Sequence, residues 1–153
     1  MRCMRRTLNA IAKCISTFFY VGLLSKMPGT WGSLTALPFA WFLWQLSSAW
    51  IIFFLSFLLA VWSAGRYCGQ TKKHDNQQIV IDEVLGIFLT TAIVPHTYLF
   101  YFLAFVLFRF FDIVKPPPVR WVDRNVQGGF GVVADDLVAA FWAMLILKII
   151  LWV

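Results

Sequence analysis

The sequence predicts an all-α, polytopic membrane protein, a helical bundle built from short helical hairpins plus a C-terminal transmembrane helix. Of its 153 residues, 61% are hydrophobic and only 13% are charged, whereas a soluble domain of this size usually carries about 25% charged residues. The mean hydropathy is +0.77. Long apolar runs alternate with short polar segments that carry most of the charges. The length predicts one membrane-embedded domain, residues 1–153.

The first apolar run predicts a helical hairpin. Residues 33–64 contain no Asp, Glu, Lys, Arg or His. A continuous helix of that length would span about 48 Å, well beyond the roughly 30 Å hydrocarbon core of a bilayer. Residues 45–48, with the sequence QLSS, interrupt the run and indicate a turn. Two short membrane helices are therefore expected, and one long tilted helix is the alternative.

The second apolar run predicts another hairpin and is followed by a final helix. Residues 84–108 contain no acid, Lys or Arg, and Pro95 interrupts them. Proline removes a helix hydrogen bond and favours a break there. The return helix should stop at the three prolines of FRFFDIVKPPP. The last helix is expected from about residue 134 to residue 153, long enough to cross most of a bilayer.

Basic residues predict the orientation in the membrane. They precede the first hairpin, lie between the hairpins and follow the second, whereas both presumed turns lack Lys and Arg. The positive-inside rule therefore puts the N-terminus and both long polar loops on the cytoplasmic side of the membrane. The net charge of +6 is scattered over these loops, which fits anionic lipid head groups better than nucleic acid. The three cysteines show no disulfide or metal-ligand spacing.

The acidic residues form two groups, and a carboxylate doublet heads an apolar segment in each. Asp82 and Glu83 begin one apolar helix, and Asp135 and Asp136 begin the last. Carboxylates near a helix N-terminus are stabilised by about 0.3–1 kcal/mol each, so capping at the membrane boundary is one interpretation. Neighbouring carboxylates also repel each other, and a hard cation relieves that repulsion. A shared Mg²⁺ site formed by all four acids is the other interpretation.

Three further segments are candidate phosphate-binding elements. Thr30 lies in PGTWGS at a predicted helix start, where free amides can bind an anion, although a turn and N-cap also explain it. Arg109, Asp112 and Lys115 recur at i, i+3 and i+6, which also fits a basic membrane boundary with an internal salt bridge. Glycines at 128, 129 and 131 predict a flexible approach to the last helix, for ligand contact or for a turn.

The two histidines are not expected to be catalytic. His96 lies in the predicted distal turn, and His74 lies beside Asp75 in a polar loop.

Four stretches together resemble the phosphatidylglycerophosphatase A family of bacterial membrane lipid phosphatases. They are MPGTWGSLTALP, HDNQQIVIDEVLG, FRFFDIVKPPPVRWVDR and GGFGVVADDLVAA. They occur in family order and cover nearly all of the polar part of the chain. The family often has a small residue and glycine after the last acid pair, where this sequence has Ala139 and Ala140. The resemblance implies removal of the terminal phosphate of phosphatidylglycerophosphate with Mg²⁺.

This resemblance and the acid pattern suggest a common set of residue roles. Asp82, Glu83, Asp135 and Asp136 would be catalytic and would bind one or two Mg²⁺ ions, which hold a phosphate oxygen and activate water. The predicted substrate-binding residues are Thr30, Arg109, Asp112, Lys115, Gly128 and Gly129.

Two other functional classes stay open at this point. A CDP-alcohol phosphotransferase would also use clustered acids and Mg²⁺, but its Asp-x2-Asp-Gly-x2-Ala-Arg motif is absent from the sequence. A non-enzymatic cation-binding membrane protein, such as a channel or transporter subunit, would place acids in the middle of its spans. The sequence does not predict the oligomeric state, the number of metal ions, the general base or the acyl preference.

Overall fold

A computed structural model describes residues 2–24, 26–71 and 77–152, and every regular element in these ranges is helical. The all-α prediction is confirmed for this part of the chain. The elements are α1 (Arg2–Ser16), a 3₁₀ turn (Val21–Leu23), α2 (Pro28–Leu43), α3 (Ala49–Thr71), α4 (Ile81–Thr91), α5 (Tyr98–Val114), α6 (Val119–Asn125) and α7 (Gly128–Trp152).

Both predicted interruptions of the apolar runs are confirmed. Helix α2 ends at Leu43 and α3 begins at Ala49, so the alternative of one long helix is wrong. Helices α4 and α5 are separated by the segment that contains Pro95. Thr97 caps α5 by accepting a hydrogen bond from the backbone N–H of Phe100. The helix ends one residue before Lys115, which adopts a left-handed backbone conformation with φ of 46° immediately before the prolines.

The predicted start of the last helix is wrong, because α7 begins at Gly128 and not near residue 134. The glycines therefore belong to the helix and are not a flexible approach to it. A Cβ on Gly129 would collide with the carbonyl oxygen of Val61 and with the backbone of Gly65 in α3. Small residues allow helix backbones to approach this closely. Asp135 and Asp136 consequently lie about two turns inside α7, with no acid in its first turn.

Helix α4 is the central helix of the bundle. It packs against α2, α3, α5 and α7, and eight of its 11 residues are buried. At about 1.5 Å per residue it is roughly 16 Å long, too short to cross a bilayer. A Cβ on Gly86 would collide with the ring of Phe108, which is completely buried. Through these contacts α4 holds its first turn, with Asp82 and Glu83, at a fixed position beside α7.

In the described part of the chain, two helices are long and apolar enough to cross a membrane, at Ala49–Gln70 and Gly128–Trp152. Large apolar side chains are exposed along the outer faces of α3, α5 and α7. Sequence reasoning did not predict helices α1 and α6, which flank the apolar runs.

Candidate metal and phosphate site

A polar cavity of about 640 Å³ lies at one end of the bundle. The first turns of α2 and α4, the C-terminal end of α5 and the first third of α7 form its wall. Six carboxyl groups line the cavity, those of Asp82, Glu83, Asp112, Asp123, Asp135 and Asp136. All six acids of the described residues therefore meet here, although they are distant in sequence.

Three of these acids converge on one point. Asp82, Glu83 and Asp136 each present a carboxylate oxygen, and the three oxygens lie within 4.8 Å of one another. Asp136 is only 4% exposed, although it belongs to a long apolar helix. Charged groups that are buried in this way are normally paired or coordinate a metal.

The hydrogen bonds of the three-acid cluster are incomplete. Glu83 Oε2 and Asp136 Oδ2 are buried and have no hydrogen-bond partner. Burial raises the pKa of Asp82 well above its usual range, and the adjacent Glu83 carboxylate raises it further. Burial likewise raises the pKa of Glu83 to about 8, against the opposing effects of a hydrogen bond with Asp82 and the charge of Arg109. Unpaired carboxylate oxygens at this spacing fit a hard divalent cation.

Asp135, the fourth acid predicted to bind metal, faces a different partner. Its Oδ2 accepts a hydrogen bond from Lys115 Nζ at 2.8 Å, and Lys115 also donates to Asp123 Oδ1 at 2.9 Å. Burial disfavours the charged amine, but the two carboxylates outweigh this effect and raise the pKa of Lys115. Lys115 is thus charged and held between α6 and α7. Asp135 lies outside the group of three converging oxygens.

Arg109 forms the second cationic contact of the cavity. Its Nη1 donates to Asp112 Oδ2 at 2.6 Å and lies 3.8 Å from Glu83 Oε1. The i, i+3 pairing predicted from sequence is therefore present in α5. Arg109 Nε is buried and has no hydrogen-bond partner among the described residues. Gly29 of α2 packs against this ion pair, and a Cβ there would collide with Glu83.

The charges of the described residues that line the cavity do not balance. Among these residues, six carboxyl groups face three cationic groups, those of Lys26, Arg109 and Lys115, which leaves a formal excess of three negative charges. An anionic phosphate ester would be repelled by such a surface. A bound divalent cation, or protonation of the buried acids, would correct the imbalance.

The remaining predicted site residues divide into two groups. Thr30 and Gly128 line the cavity, as their predicted role in substrate binding requires. Gly129 lies at the contact with α3, so close helix packing accounts for it, and its location does not support the predicted role. Sequence reasoning missed Lys26, Gln77 and Asp123 as cavity residues. The sequence signal that could have identified Asp123 is its position in VRWVDR, part of a stretch that resembles the family.

The two histidines lie outside this cavity or outside the described residues. His96 packs against Trp41 and Tyr101 in the turn between α4 and α5, at the opposite end of α4 from Asp82. The polar loop with His74 and Asp75 falls outside the described residues.

A family model described as phosphatidylglycerophosphatase A matches residues 14–151 of this chain. The chain belongs to the phosphatidylglycerophosphatase A family. A phosphatidylglycerophosphatase A from Haemophilus influenzae is 37% identical over 132 residues, which cover 84% of this chain and 81% of the relative. The one from Escherichia coli is 41% identical over 131 residues, or 79% and 72% of the two chains.

A relative from Bacteroides thetaiotaomicron is 32% identical over 152 residues, covering 91% of this chain and 92% of its own. Its name refers to phosphatidylinositol-3-phosphatase. No solved structure matches this member of the phosphatidylglycerophosphatase A family.

Proposed function

We propose that the protein is a Mg²⁺-dependent lipid phosphatase that converts phosphatidylglycerophosphate to phosphatidylglycerol at the cytoplasmic face of the bacterial inner membrane. Its family makes it a phosphoric monoester hydrolase. One observation carries the finer proposal. Three converging carboxylates, two of which have a buried oxygen without a hydrogen-bond partner, face the same cavity as Arg109 and Lys115.

Asp82, Glu83 and Asp136 are the proposed Mg²⁺ ligands. Carboxylate oxygens are the donors that Mg²⁺ prefers, and it usually keeps some water and takes substrate phosphate as well. The ion supplies polarisation of a phosphate oxygen and activation of a water molecule. Asp112 accepts a hydrogen bond from Arg109 Nη1, the same atom that lies 3.8 Å from Glu83 Oε1, so it orients that guanidinium beside Glu83.

Arg109 and Lys115 are the proposed phosphate-binding cations. Arg109 presents a planar set of donors suited to phosphate oxygens. Lys115 is 30% exposed, and its ammonium is held by the more buried Asp135 and the more exposed Asp123. Asp135 is therefore proposed to position Lys115. A phosphate oxygen would replace the carboxylate of Asp123 as the second partner of the Lys115 ammonium. Thr30 and the first amides of α2 supply further donors at this wall.

The membrane part of the proposal rests on α3, α7 and the distribution of charge. The polar cavity opens at the end of the bundle that carries the N-terminus of α7 and the C-terminal end of α5. Lys and Arg flank the apolar segments at that end, which predicts a cytoplasmic location. The site would then lie at head-group depth, where a lipid-borne phosphate is found.

Phosphate release by the purified protein tests this function. The protein in detergent is incubated with phosphatidylglycerophosphate, with Mg²⁺, with EDTA, and with EDTA followed by excess Mg²⁺. We expect release with Mg²⁺, loss with EDTA and recovery on return of the metal. Release that is equal in EDTA would refute the metal dependence, and no release under any condition would refute the substrate.

A parallel panel defines the head group. It contains phosphatidate, lysophosphatidate and a phosphatidylinositol 3-phosphate, each at the same concentration in the same detergent. We expect the highest kcat/KM for phosphatidylglycerophosphate. A higher kcat/KM for the inositol lipid would instead indicate a phosphatidylinositol-3-phosphatase, the activity in the name of the Bacteroides relative.

A further inference from the structure

One face of α5 carries a continuous row of exposed apolar side chains. Successive members are three or four residues apart, so they lie on the same side of the helix. They are between 43% and 71% exposed. The row consists of Leu99, Phe102, Val106, Phe110 and Ile113. Its ends are 14 residues apart, or about 21 Å at 1.5 Å per residue, which is longer than one leaflet of a hydrocarbon core of about 30 Å.

This row leads directly into the polar cavity. Its last member, Ile113, lines the cavity together with the adjacent Asp112 and with Arg109 one turn earlier. Exposed Met27, just before α2, also lines the cavity. The lining therefore combines exposed apolar side chains, from α5 and from the residue before α2, with charged groups. An amphiphile with a phosphate at one end and acyl chains at the other has the same division of polarity.

Helix α3 provides a comparison that separates exposure from function. It also exposes a row of large apolar side chains, including Ile51, Phe54 and Leu58. No α3 residue whose side chain the structure describes lines the cavity. Exposure to lipid alone accounts for the α3 row, whereas the α5 row is continuous with the candidate site.

We infer that the outer face of α5 is the docking surface for the acyl chains of the substrate lipid. The chains lie along the row, and the head group passes over Ile113 and brings its terminal phosphate to Arg109 and Lys115. This inference rests on the proposed lipid phosphatase function and adds to it a lateral route of entry from the bilayer.

Two matched pairs of substitutions test this surface. Phe110→Ala in α5 is paired with Phe54→Ala in α3, since the two rings are 55% and 57% exposed. Ile113→Ala is paired with Ile51→Ala, at 70% and 65% exposure. For each variant, kcat/KM is measured with dioleoyl phosphatidylglycerophosphate in mixed micelles and with glycerophosphoglycerol phosphate, the water-soluble head group without acyl chains.

The quantity compared is kcat/KM for the diacyl substrate divided by kcat/KM for the soluble substrate. We expect each α5 substitution to lower this ratio by about fivefold, because apolar contact with the acyl chains is lost. The α3 substitutions should leave the ratio at the wild-type value. Equal ratios for the α5 and α3 variants would overturn the inference and make the α5 row an ordinary lipid contact. An equal loss with both substrates would also overturn it, since the substitutions would then act on the site.

Photo-crosslinking provides a second readout that does not depend on turnover. A diacyl lipid phosphomonoester with a diazirine in one acyl chain is bound to the wild-type protein in nanodiscs, and the labelled helices are identified by mass spectrometry. The docking surface is supported if excess unlabelled phosphatidylglycerophosphate abolishes the labelling of α5 while the labelling of α3 persists. Equal competition at both helices overturns it. Wild-type protein that releases phosphate from neither substrate would instead refute the proposed function, and this inference with it.

Discussion

Asp136→Asn removes one charge from the three-acid cluster and keeps the size of a side chain that is 4% exposed. Two unit charges at 4.8 Å, the upper limit of the spacing between these oxygens, repel each other by about 3.5 kcal/mol at an effective dielectric constant near 20. Partial protonation reduces this repulsion, because burial raises the pKa of the neighbouring Asp82 and Glu83. We therefore expect the metal-free variant to gain about 1–3 kcal/mol of stability.

The same substitution should abolish metal binding and catalysis. In EDTA, the midpoint of thermal unfolding should rise by about 3–9 °C relative to wild type. In Mg²⁺, the wild-type midpoint should rise further, since a ligand that binds only the folded state stabilises it, whereas the variant should not respond. Its kcat/KM for phosphatidylglycerophosphate should fall by about 100-fold or more. Unfolding in detergent and phosphate release are measured on the same preparations.

Asp135→Asn is the matched control, because the carboxylate of Asp135 is adjacent in the chain to Asp136 but binds Lys115 and not the three-acid cluster. This variant should keep its thermal response to saturating Mg²⁺ while its KM rises. The reasoning is refuted if Asp136→Asn retains a wild-type response to Mg²⁺ and turnover. Loss of the thermal response to Mg²⁺ in both Asp135→Asn and Asp136→Asn would instead support the four-ligand site that the sequence predicts.

Three further outcomes are expected. Gly129→Ala should lower the free energy of unfolding by about 1–3 kcal/mol, because its Cβ clashes with the carbonyl oxygen of Val61. Gly69→Ala should raise the free energy of unfolding slightly, because a Cβ there meets no atom within 4 Å. Both variants are measured by thermal unfolding. Arg109→Lys should reduce kcat/KM about tenfold or more because the planar donors are lost, and phosphate release that is unchanged would contradict its role. The affinity for Mg²⁺, measured by calorimetry, should increase from pH 6 to pH 8. Glu83 has a pKa of about 8 and is mostly protonated below that pH, so the metal must displace its proton. An affinity independent of pH would count against Glu83 as a ligand.

The local elements of this fold were largely predictable. Pro95 breaks the second apolar run, and residues 45–48 break the first, because proline and polar turn residues act within a few positions of themselves. The start of α2 at Pro28 follows from proline's preference for the first helical turn. The start of α7 was not predictable in this way, since Gly129 is explained by its contact with the backbone of α3, which is distant in the chain.

The candidate site divides along the same line. Its acids and cations could be recognised from residue type and from resemblance to the family, but the division of labour between Asp135 and Asp136 could not. Adjacent helical residues point about 100° apart, so packing against neighbouring elements decides which partner each one meets. Asp123 entered the site only because α6 brings it to Lys115.

By itself, the sequence determined the composition of the protein: an apolar helical chain with its acids confined to two windows. Those properties depend on residue type and short-range spacing. The tertiary structure alone decided which three carboxylates share one point, which cation each remaining acid meets, and which lipid-facing row ends at the cavity. These arrangements depend on how α2, α4, α5 and α7 pack, and contacts between residues so distant in the chain leave no mark on local sequence patterns.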